Sequence, residues 1–248
     1  MRYLRLILVV IVVSIILMVH ELGHAIEMRN KGIPIESLGI GLDIWVLPSV
    51  EFPIGFFPDA TFKISPLLLG AHVTPTEEGG QLMEQLPYSE FSSIVGMGVW
   101  VNLMVGLFFL SIVFLTSARR KENRSRIVLT LSLLVLLGIG RGIFVSYLIP
   151  VLGILMLVYV VINYKDLRGP LGAIRELLKV RITAVIAGIS ISLGLLNMVP
   201  LFPLDGGRIM GRILENYSQN LATGYELVSS TLLWLGIMVI VVADIRRR

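Results

Sequence analysis

Five apolar blocks, at residues 3–19, 91–117, 127–162, 182–199 and 225–243, constrain this chain more than any other feature. A hydrocarbon core of about 30 Å needs about 20 apolar residues as helix. In lipid, backbone polar groups must be satisfied inside the segment itself. The blocks therefore read as membrane crossings. Block 127–162 is too long for one crossing and contains Gly138-Ile139-Gly140-Arg141-Gly142, which reads as a turn joining two crossings, the first of them short. The expected fold is all-α and polytopic, one domain over residues 1–248, with about six transmembrane helices in a cell membrane.

Composition agrees and excludes other classes. Charged residues make up 15% of the chain, against about a quarter in a typical soluble domain, and hydrophobic residues make up 55%. The net charge of +4 does not point to nucleic acid, because the basic residues fall in short segments between apolar blocks, as topology signals do. The absence of cysteine excludes disulfides, thiolate catalysis and cysteine metal ligands. Arg2 and Arg5 before an apolar run mimic a signal peptide, but no small-residue cleavage pattern follows, so this helix is expected to be retained.

Residues 32–90 differ in kind. Pro34, Pro48, Pro53, Pro58, Pro66, Pro75 and Pro87 alternate with glycines and short β-prone stretches such as 37–42 and 61–64. The segment reads as strands and turns at the membrane surface, β-rich over about 32–75.

The chemistry lies in His20-Glu21-Leu22-Gly23-His24, an H-E-x-x-H pattern on a strongly helical stretch. Residues four apart share a helix face, so both imidazoles can reach one zinc ion. Glu21 is placed to take a proton from an attacking water. The bland alternative is two satisfied helix histidines and a surface glutamate. Depth argues against it: from Tyr3 to His20 is about 25 Å of helix at 1.5 Å per residue. Polar groups at that depth are costly unless paired or functional. Zinc catalysis needs a third ligand. His72 is the one remaining histidine, but Asp205 in Asn197-Met198-Val199-Pro200-Leu201-Phe202-Pro203-Leu204-Asp205-Gly206-Gly207 is the stronger candidate. Pro200 and Pro203 break the helix there, the two glycines permit sharp turns, and such freed backbone is tolerated at a cavity. The competing role for Asp205 is a turn cap.

Together these residues resemble the site-2 protease family of intramembrane zinc metalloproteases. The His20–His24 motif is similar to that family's first zinc motif, and Asn197-x-x-Pro200-x-x-x-x-Asp205-Gly206 to the motif carrying its third ligand. Residues 64–73, Gly98-Val99-Trp100-Val101-Asn102 (valine where the family has proline) and Gly169-Pro170-Leu171-Gly172 resemble three further elements. The resemblance implies a zinc endopeptidase that cuts membrane-anchored proteins within or beside a transmembrane segment. His20, His24 and Asp205 would hold one Zn2+, Glu21 would be the general base, and Asn197 and, more weakly, Asn102 would help bind substrate. An interhelical hydrogen bond is the equal alternative for Asn102. His72 is expected as an interfacial loop residue, and Arg141 as a turn marker. Many relatives carry a PDZ domain between the second core helix and the element at Gly169; here a hydrophobic helical pair at about 127–163 replaces it.

Two other readings compete: a metal-binding transporter, which would need polar residues spread along several helices, and a pseudoprotease, which would be expected to lack Glu21 or a ligand. Topology adds a conflict. For the two motifs to meet, the helices bearing them must run in the same direction, leaving fifteen of the 21 Lys and Arg residues on the opposite side. The positive-inside rule makes that side cytoplasmic; the family resemblance implies the reverse.

Overall fold

The computed structural model describes residues 2–42, 48–117, 124–162 and 180–246. The element at Gly169-Pro170-Leu171-Gly172 lies outside them. The first apolar block and the histidine motif share one helix, α1 (Arg2–Asn30). It contains no proline and ends at Gly32, whose φ of 71° permits the closing hydrogen bonds from Ile33 N–H to the Met28 carbonyl (2.9 Å) and from Gly32 N–H to the Arg29 carbonyl (3.1 Å). This is a Schellman end, for which glycine carries no Cβ penalty.

The chain then forms the expected β-rich segment: β1 (Ile35–Leu42), β2 (Val50–Ile54), β3 (Phe57–Ile64) and β4 (Leu67–Pro75), in the order β2-β3-β1-β4. β1 pairs parallel with β3 and antiparallel with β4, with Gly39 opposite His72. β4 is an edge strand, and it packs against α1. A short helix α2 (Glu77–Gln85) follows, capped by Thr76, whose hydroxyl accepts from Gly79 N–H at 3.0 Å.

α3 (Tyr88–Leu115) is the centre of the helical part. α1 runs antiparallel to it, with His24 opposite Ile94 and His20 opposite Asn102. α7 (Ile182–Asn197) also runs antiparallel, with Ile191 against Gly106 and Gly194 against Leu103. Apolar surface gains little from leaving lipid, so helices in membranes associate through small residues that allow close contact; these glycines serve that end. α1 and α7 thus share a direction, as the meeting of the two motifs requires. α8 (Asp205–Glu215) and α9 (Gln219–Arg246) complete the chain.

The expected turn at Gly138–Gly142 is a kink instead. α4 (Arg124–Ile139), α5 (Arg141–Ile143), a π-helical turn (Phe144–Leu148) and α6 (Ile149–Ile162) follow one another. Gly140 keeps helical hydrogen bonds on both sides, donating to the Leu136 carbonyl at 2.8 Å and accepting from Phe144 at 2.9 Å. Contacts to α3 run steadily in one direction: Thr130 with Ser111, the Leu137 carbonyl with Trp100, Ser146 with Ser92. Glycine permits the bend, and the helix resumes directly beyond it in the same direction, so the path does not reverse there.

Among the described residues, four helices are long and apolar enough to cross a membrane: Leu6–Asn30, Tyr88–Leu115, Arg141–Tyr159 and Gln219–Ala243. Ile182–Asn197 is apolar but shorter. Leu232, Trp234, Met238 and Val239 on α9 are all more than half exposed. On a soluble protein such a face would be an aggregation hazard; on a membrane helix it faces lipid.

Candidate metal centre

His20 and His24 lie one turn apart on the same face of α1, and their Nε2 atoms are 3.2 Å apart. Asp205, in the first turn of α8, brings Oδ2 to 3.2 Å from His20 Nε2 and 3.6 Å from His24 Nε2. All three side chains are buried. Ligands about 2.0–2.1 Å from a tetrahedral ion are about 3.3–3.4 Å apart, so this triangle has the edges of a zinc ligand set.

The protonation pattern points the same way. His24 Nδ1 is 2.8 Å from the Ile94 carbonyl, which can only accept, so this nitrogen carries the ring hydrogen and Nε2 presents a lone pair. Asp205 Oδ2 is buried without a hydrogen-bond partner. Electron-rich atoms facing one another in a site of low dielectric are costly unless a cation lies between them. The donor set therefore fits a zinc ion.

Glu21 takes a different position. Its carboxylate lies within 4.8 Å of both imidazole nitrogens. Asp205 Oδ2 is nearer to both, at 3.2 and 3.6 Å, and Glu21 stands beside that triangle. The centre opens onto a cavity of about 700 Å³ whose lining includes Glu21, His72, Asn197, Phe202 and Arg208. Asn197, at the end of α7, thus reaches the cavity with Glu21, whereas Asn102 is fully buried and is not among the lining residues. His72 is not on a loop but on β4, with its ring over Gly39 and facing the cavity.

Two sets of glycines shape the site. A Cβ on Gly98 would lie 2.5 Å from His24 Nε2 and 2.6 Å from His20 Cε1, so only glycine lets α3 pass this close to the imidazoles. Gly206 and Gly207, expected as turn formers, are helical and do not adopt positive φ. They are required instead because Cβ atoms there would run into the backbone of Met198, Leu201 and Phe202. That close approach seats Asp205 against the loop following α7.

Several supporting residues were not legible in the sequence. Glu27, buried on the same face of α1, accepts from Ser93 Oγ at 2.6 Å and from Arg141 Nη1 at 3.1 Å. Arg141 is therefore an ion-pair partner at the kink, not a turn marker. Arg212 donates to the carbonyls of Glu84 and Leu86 (2.6 and 2.8 Å), pairs with Glu215 and stacks over Phe91, tying α8 to the end of α2. Glu27 at seven residues beyond His20 and Arg212 at seven beyond Asp205 shared a helix face with the motif residues, the one periodic hint of their roles.

The profile of peptidase family M50 matches residues 8–242, nearly the whole chain. No individually curated protein matches it.

Proposed function

The chain belongs to peptidase family M50, the site-2 protease family of membrane metalloproteases, and on that premise we propose that it is an intramembrane zinc endopeptidase cutting membrane-anchored proteins within or next to a transmembrane segment. The observation that carries this reading is the buried triangle of His20 Nε2, His24 Nε2 and Asp205 Oδ2, with Glu21 beside it at the cavity wall.

His20, His24 and Asp205 would hold one Zn2+, which as a Lewis acid polarises the scissile carbonyl and makes water nucleophilic at neutral pH. Glu21 accepts the proton from the attacking water and passes it to the departing amine. Asn197, which lines the cavity at the end of α7, would donate its amide to the reacting carbonyl. Leu17, Ile94, Val95 and Leu193 supply an apolar wall for the side chains of the bound segment.

A transmembrane helix hides its carbonyls in its own hydrogen bonds, so it must unwind before it is cut. Among the described residues, β4 has a strand neighbour on one side only, and Ala71, His72, Val73 and Pro75 line the cavity. The unwound substrate pairs with this strand as an added one. Proline substitutions along the extended part of a substrate should weaken docking; unchanged docking and cleavage would exclude strand pairing.

The test of the function uses purified protein in detergent with Zn2+ and a transmembrane test substrate. Cleavage by the native chain and its loss in Glu21→Gln are expected. Cleavage that persists in Glu21→Gln would refute the mechanism, and zinc binding without cleavage by the native chain would favour a metal-binding transporter or a pseudoprotease.

A further inference from the structure

We infer that Asn102 is a positioning residue for the metal centre, one that fixes the ring of His20 and does not touch substrate. This rests on the zinc reading above. A histidine nitrogen that gives its lone pair to a cation carries no hydrogen, so in each ligand the ring hydrogen must sit on Nδ1 and needs an acceptor there. His24 has the Ile94 carbonyl at 2.8 Å. His20 Nδ1 has the Asn102 side-chain amide at 2.9 Å.

The surroundings suit this role. Asn102 is 0% exposed, enclosed where α1 and α7 meet on α3, with Gly194 facing its Cβ. A polar side chain at this depth is costly without a partner. It lies one turn beyond Gly98, on the same face of α3, so the glycine that admits the imidazoles and the amide that orients one of them act as a unit. Val99, where the resembling family has proline, is fully buried in a regular stretch of helix, which keeps Asn102 in register.

The amide faces His20 through Nδ2, and its Oδ1 is buried without a partner. Turning the amide by 180° puts Oδ1 on Nδ1–H and exchanges one unpaired buried atom for another. The choice between the two orientations is therefore made by which nitrogen of His20 is bare. When Nε2 binds metal, Oδ1 faces His20.

The experiment measures Zn2+ affinity of the full chain in detergent, without substrate, by competition with a chelator. Asn102→Leu, similar in volume but unable to accept, should lose about 10–100-fold in affinity, the usual effect of removing an outer partner. Asn102→Asp, which can only accept, should stay within a few-fold of the native chain. Asn102→Ser, too short to reach Nδ1, should lose affinity as Leu does and serves if the Leu variant does not fold. Native-like Zn2+ affinity in the Leu or Ser variant, with only KM raised, would overturn the inference and return Asn102 to substrate binding. An Asp variant as weak as Leu would also overturn it. A native chain that binds no Zn2+ would instead refute the underlying zinc reading.

Discussion

Asp205 Oδ2 lies 3.2 Å from His20 Nε2, although one residue is in α8 and the other in α1. The contact exists because α1 and α7 run in the same direction along α3 and the loop after α7 folds α8 back onto them. Asp205→Asn keeps the size of the side chain and removes its charge. Zn2+ affinity should fall by more than the about 10–100-fold typical of an outer-partner loss, with thermal unfolding little changed. Chelator competition and a melting curve on the same sample check both.

Glu21 lines the cavity beside the triangle and is not needed to close it. Glu21→Gln should therefore retain one equivalent of zinc while losing about 10²–10⁴-fold in cleavage rate. Metal analysis of the purified variant separates the two roles, and loss of zinc in this variant would make Glu21 a ligand.

Gly98 is predicted to resist replacement by any larger residue. Gly98→Ala forces a Cβ against both imidazoles and should destabilise the fold by about 1–3 kcal/mol, as overpacking does, and reduce zinc content. Gly188→Ala is the control: nothing lies within 4 Å of its added Cβ, and alanine favours helix by up to about 1 kcal/mol over glycine. Equal melting shifts for the two variants would refute the close approach.

The Glu27–Arg141 pair joins α1 to the kinked helix, with Glu27 buried (4% exposed) and Arg141 at 42%. Solvent or headgroup screening weakens the exposed partner's share. Removing only the cation still strands the carboxylate, although Ser93 remains. Arg141→Ala should thus be destabilising, and Glu27→Gln should offset much of that loss in the double variant. The coupling should be about 0.5–3 kcal/mol; strictly additive melting shifts would mean the pair contributes no net coupling.

Because the chain has no cysteine, introduced thiols report sidedness directly. Residues 78 and 116 flank α3, so Glu78→Cys and Thr116→Cys should label from opposite faces of the membrane with an impermeant reagent. Which one labels from outside decides which face of the membrane carries the metal centre. Labelling of both from one face would remove α3 as a crossing.

Much of the fold was legible because its signals are local. Helix α1 with its histidines in i, i+4 spacing, the β-rich segment and the break at Pro200 and Pro203 follow from periodicity and backbone chemistry within a few residues. Gly140 was misread for the same reason: a glycine cluster permits both a turn and a bend, and only the contacts of Leu137 and Ser146 along α3 select the bend. Gly206 and Gly207 suit a turn by local chemistry, but what demands them is backbone from the preceding loop. His72 read as a loop residue until β4 placed it on the cavity wall.

By itself, the sequence determined that this chain lives in lipid, that His20, Glu21 and His24 share one helical turn and that Asp205 follows a helix broken at membrane depth. Each is a matter of hydropathy or of spacing on one helix. Tertiary structure alone decided that Asp205 Oδ2 meets both imidazoles, that Asn102 lies behind His20 and away from the cavity, and that Arg141 finds Glu27. Those pairings depend on the directions in which α1 and α7 cross α3, and on glycines small enough to let them touch, and no single segment encodes either.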